Sequence, residues 1–170
     1  MPSLSEARED AQQPETIPQP RPEVLWAALG RRCQVTTWRK LFRGMPEEVT
    51  NARRLTRLFF DDTAIGDDAE LIVGELAANA VIHTRSGLPG GVYVLELVRT
   101  KLTGRITVYD LGGTGTPVFP GPPPDLDALH EHGHGLRTVA LLAAGTGVRG
   151  TSATGHAVWA ELPIATAVLA

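Results

Sequence analysis

The sequence predicts an α+β two-layer sandwich, a mixed, mostly antiparallel sheet covered on one face by helices. Two observations point there: strand-like and helix-like segments are interleaved along the chain, and two strand patterns follow one another with only a short turn between them. A third is size. Hydrophobic residues make up 42% of 170 positions, enough for a core, and the length suits one domain with a tail.

Residues 1–23 ("QQPETIPQPRPE" at their heart) are rich in Pro, Gln and Glu. They carry too little apolar content to offset the entropy of ordering and are read as a disordered tail. Residues 24–34 form a short N-terminal arm in which "VLWAALG" suits a helical turn, with Trp26 available to dock. The folded domain is read as residues 35–165. "CQVTTWRKLF" alternates β-formers and reads as the first strand. "GMPEEVTNARRLTRLFFDD" places Pro46 in a first helical turn and Glu47 and Glu48 at the positive helix end. Val49, Ala52, Leu55, Phe59 and Phe60 make its apolar stripe. A second helix starts near Asp67 in "AIGDDAELIVGELAANAVIHT". "GGVYVLELVRT" and "GRITVYDLG" read as strands joined by a turn at residues 101–104. Residues 111–132 hold many Gly and Pro without periodicity and read as a long functional loop. "GLRTVALLAAG" is a third helix, and "GVRGTSA" and "GHAVWAELPI" are the last strands, on which Trp159, like Trp38 on the first, suits packing.

Bulk properties exclude several classes. A net charge of −3 offers no global basic field for nucleic acid, and the arginines of "RRCQVTTWRKLFR" and "NARRLTR" read as solvated faces. Cys33 is the sole cysteine, so an internal disulfide and a Cys-x-x-Cys zinc pattern are both excluded. The N-terminus lacks the basic and apolar regions of a signal peptide, and no run approaches the ~18 apolar residues of a membrane span. A soluble, cytoplasmic protein without a membrane partner is expected.

The stretch "ELAANAVIH" carries the first chemical signal. At 100° per residue, Glu75, Asn79 and His83 fall within about 80° of arc on a helix that is otherwise apolar nearly all round. A carboxylate and an amide on the inward side of a buried helix need partners. A hydrated Mg²⁺, which binds few protein ligands, suits Asn79, and Glu75 one turn away could polarise a water or hydroxyl. A core helix with polar residues at its edge explains this stretch equally well.

Two further pieces follow. Asp110 ends a strand and is followed by Gly112, Gly113 and Gly115; such a carboxylate can accept from the exocyclic amine of adenine. An Asp-Gly turn is the plainer reading. Gly133, Gly135 and Leu136 then open the third helix, where free N–H groups at a positive end suit phosphate; a flexible hinge would look the same.

Taken together, a helical E-x-x-x-N, a strand-end D-x-G, a long loop and a G-x-G-L helix resemble the GHKL (Bergerat-fold) ATP-binding superfamily. More narrowly, the chain looks like the bacterial anti-sigma-factor serine/threonine kinases over roughly residues 35–163, with "GHGLRTVALLA" among the most specific parts. That resemblance implies that ATP and Mg²⁺ bind, with Asn79 on the Mg²⁺. It implies Glu75 as the catalytic base, Asp110 on the adenine amine, Gly112 under the base, and Gly133, Gly135 and Leu136 at the phosphates. Residues 111–132 would be the lid; they carry no Lys or Arg, leaving Arg137 as the nearby cation. Departures from the family pattern are Thr114 in place of the second Gly of D-x-G-x-G, His156 for a common Lys, and Ala157 for a Thr near adenine.

The implied function is an anti-sigma-factor-type kinase that phosphorylates a serine on an anti-sigma-factor antagonist and sequesters a sigma factor, with dimerisation through the first strand. The alternatives are a nucleotide-binding module acting by partner sequestration, and a detached histidine-kinase catalytic domain, against which no phospho-acceptor helix pair is visible. His130, His132 and His134 alternate as metal ligands can, but coincide with the lid and have no second ligand cluster. His83 reads as a structural hydrogen-bonding residue.

Overall fold

A computed structural model describes residues 35–119 and 134–164. The tail, the arm with Trp26, Cys33, Gly133 and residues 120–133 lie outside the described residues, and with them most of the expected lid. The elements are β1 (Thr36–Arg43), α1 (Pro46–Phe59), α2 (Gly66–His83), β2 (Val92–Arg99), β3 (Thr103–Tyr109), α3 (His134–Leu142), β4 (Gly145–Thr151) and β5 (Gly155–Pro163), with a 3₁₀ turn at Arg85–Gly87. Every expected element between 35 and 164 is present. The third helix stops at Leu142, and β4 starts at Gly145, two residues before the expected strand.

The five strands lie in the order β1-β2-β3-β5-β4. All four neighbouring pairs are antiparallel, so the sheet is not mixed as the sequence led us to expect. The reason is connectivity. The turns after β2 and β4 are too short for the crossover that parallel neighbours require, and β5 then runs back along β3.

Register builds the core in rows. Phe42 faces Tyr93 across β1 and β2, with rings stacked 5.3 Å apart. Leu95, Val108 and Val158 form the next row, and Leu97, Ile106 and Ala160 the third. All are buried. The intervening residues lie on the other face, where the Arg105 guanidinium sits 4.1 Å from the Trp159 ring and Tyr109 donates to Glu96 at 3.3 Å.

The α1 stripe behaves as its spacing predicts: Ala52 and Phe60 are fully buried, while Val49, Leu55 and Phe59 pack against the core. Helix α2 packs on α1, α3 and the sheet, burying Ile72, Val73, Leu76, Ala77 and Ala80. Its all-round apolar character therefore follows from neighbours on several sides. Among the described residues, no helix is long and apolar enough to cross a membrane.

Candidate nucleotide site

A cavity of about 740 Å³ opens between the C-terminal half of α2, the end of β3 and the start of α3. This is within the ~300–1,000 Å³ of small-molecule sites. Asn79, Asp110, Gly135 and Leu136 all line it, so four of the residues to which the resemblance gives a binding role meet in one place. They come from three separate elements.

Asn79 is half-buried, and its Nδ2 is enclosed with no hydrogen-bond partner among the described residues. An enclosed amide nitrogen without a partner costs about 1–3 kcal/mol. Asp110 is 8% exposed at the opposite wall. Its Oδ1 accepts from the Gly112 N–H at 2.6 Å and from the His156 N–H at 3.1 Å. Helix α3 begins with Gly135 and Leu136 against the cavity, which presents its N-terminal N–H groups there.

Of the other expected residues, His83 also lines the space, while Glu75, Gly112 and Ala157 do not. Glu75 is half-buried, one turn before Asn79. The backbone of Gly135 is pressed against it, and a Cβ on Gly135 would overlap Glu75 Oε2. Gly112 is buried with φ of 72°, a left-handed conformation that disfavours side chains. A Cβ there would run into the Ser152 carbonyl, so Gly112 makes the turn that carries Asp110. Ala157 lies on the far side of the sheet, because the buried residues of β5 are His156, Val158, Ala160 and Leu162. Val158 reaches the cavity wall. His83 is exposed at the rim. The imidazoles of the His130, His132 and His134 cluster lie outside the description.

Two features escaped the sequence. Arg85 donates to the carbonyls of Leu111 (2.6 and 3.0 Å), Ser152 (3.2 Å) and Ala153 (2.9 Å). Its own N–H reaches the Gly112 carbonyl at 2.6 Å, and Ser86 Oγ accepts from the Leu111 N–H at 3.0 Å. The α2 exit, the segment after β3 and the β4–β5 turn are thus tied together. The second is His156, whose Nδ1 lies 3.1 Å from Asp110 Oδ1. A polar turn and a lone histidine carry no local signal of either role.

No group of three or more His, Cys, Asp or Glu side chains among the described residues could hold a metal by itself. Mg²⁺ does not require one, since it keeps waters and takes substrate phosphate oxygens. Asn79 lines the cavity, and its side-chain carbonyl oxygen is a neutral oxygen donor that fits such an ion as a single protein ligand.

An antiparallel sheet under three helices, with a cavity between a polar helix stripe and a strand-end carboxylate, defines a nucleotide-binding α+β domain. The sequence matches the family of histidine kinase-like ATPase domains over residues 34–161, and the chain belongs to that family. ATP is therefore its nucleotide. No curated protein matches the chain.

Proposed function

We propose that this chain is an ATP- and Mg²⁺-dependent regulator of the anti-sigma-factor type, a protein-serine/threonine kinase acting on an anti-sigma-factor antagonist. One observation carries the reading: Asn79 and Asp110 line the same cavity. Asp110 accepts from the exocyclic amine of the base. The N–H groups opening α3 receive the phosphate tail, with Gly133 and Gly135 flanking it. Asn79 holds Mg²⁺, which neutralises charge on the phosphate oxygens. Glu75 takes the proton from a serine hydroxyl as the serine oxygen bonds to the γ-phosphorus and the β–γ bridging bond breaks, releasing ADP. A sigma factor is the second partner, bound in the cytoplasm, and a second copy of the chain would meet β1, an edge strand of the sheet.

A second reading has its own support. Glu75 lies beyond the cavity lining with Gly135 against its carboxylate, which favours a module that binds nucleotide and captures a partner without transfer. Calorimetric titration of the full chain with ATP, with and without Mg²⁺, tests the site. Transfer of the γ-phosphate label to a serine-bearing antagonist then separates the readings. Glu75→Gln is expected to keep ATP binding and abolish transfer; label transfer that survives the substitution removes the assigned role.

A further inference from the structure

We infer that His156 is a positioning residue that aims the Asp110 carboxylate, and so sets the preference for a base bearing an exocyclic amine over one bearing an oxo group. The inference rests on the nucleotide reading of the cavity.

The pairing of Tyr109 with Ala157 brings Asp110 beside His156 at the end of the β3–β5 ladder. There the Asp110 N–H donates to the His156 carbonyl at 2.9 Å, and the His156 N–H returns to Asp110 Oδ1. The imidazole folds inward as well, its Nδ1 3.1 Å from the same oxygen, and the two side chains are 0% and 2% exposed. With the Gly112 N–H, three described donors converge on Oδ1. Oδ2 accepts none of them, and Asp110 lines the cavity. Oδ2 is thus the oxygen presented to a ligand.

The protonation of the ring follows from its surroundings. Oδ1 already accepts from two backbone N–H groups, so Nδ1 must be the donor in the third bond. Nε2 is buried and has no partner among the described residues. This enclosed imidazole holds the carboxyl group against rotation. A pocket aimed to accept from an N–H rejects an analogue that brings a lone pair instead. A carboxyl group freed to turn would no longer aim an oxygen at the amine, and the discrimination would shrink.

Full-length wild type, His156→Leu, His156→Asn and His156→Gln are titrated with ATP and with GTP by calorimetry, with thermal unfolding in parallel. His156→Leu is expected to weaken ATP about tenfold and to narrow the ATP-over-GTP preference about as much, since it removes one charge-assisted bond. His156→Asn, whose amide nitrogen can stand near the place of Nδ1, should restore most of the preference. His156→Gln, which reaches further, should not. A folded Leu variant with wild-type preference overturns the inference. Should the Leu variant fail to fold, equal preferences in the Asn and Gln variants overturn it. Wild type that binds ATP and GTP alike overturns the inference and leaves the nucleotide site standing; wild type that binds neither removes both.

Discussion

Asn79 and Asp110 were legible because their signals are local. A polar residue one turn from another on an apolar helix, and a carboxylate before Gly at a strand end, can be read within ten residues of chain. His156 was not legible in the same way. Its partner lies 46 positions away, and contact depends on the β3–β5 register, which no local pattern encodes. The alternation along β5 also sends Ala157 to the far face. At this scale Asn79 makes the sharpest prediction. Asn79→Ala removes an enclosed amide nitrogen that has no partner among the described residues, so the unfolding temperature should hold or rise slightly. Mg²⁺-dependent ATP affinity should fall at least about tenfold. Calorimetry with and without Mg²⁺ checks it, and unchanged affinity would take Asn79 out of the site.

The first two helices were read closely from sequence because a 3.6-residue period and end signals such as Pro46, Glu47 and Glu48 are written into adjacent positions, whereas the third, read to Gly145, stops at Leu142. Strand existence was equally plain, but the sheet's order and uniform antiparallel pairing are long-range properties. The early start of β4 was hidden because "GTG" carries few β-formers and joins the ladder through its pairing with β5. The Arg85 turn is the element-level device that sequence did not announce. Its guanidinium spreads donors over carbonyls from two segments, a geometry that suits the planar fork of Arg and not the point charge of Lys. Arg85→Ala should lower stability by about 1–3 kcal/mol and weaken ATP through a loosened Asp110 turn. Arg85→Lys should recover only a minor part. Urea unfolding and nucleotide titration of the same samples measure both effects, and an Ala variant as stable as wild type would show the turn to be held by its backbone bonds alone.

For the whole molecule, stability depends on pH through a group far from the cavity. Tyr93 is 1% exposed, stacks on Phe42 and donates to the Glu48 carbonyl at 3.1 Å. Burial, aided by the nearby Glu48 charge, raises its pKa well above the ordinary 10.0. The phenol therefore ionises first in the unfolded chain. Its contribution is fully present below about pH 10 and is lost as pH climbs from there towards the folded-state value. Urea midpoints should stay level from neutral pH to about 9 and fall beyond it. Tyr93→Phe should flatten that alkaline fall while costing about 0.5–1.5 kcal/mol at neutral pH for the lost hydrogen bond; an alkaline fall of unchanged size would place its origin elsewhere. The Arg85 turn has a consequence at this scale too. It fastens the floor beneath Asp110 to two hairpin ends, whereas the phosphate side depends on where α3 begins. Choosing a ligand and gripping it are thereby assigned to separate hinges of the same scaffold, so descendants of this chain could lose their hold on the tail while still telling one base from another.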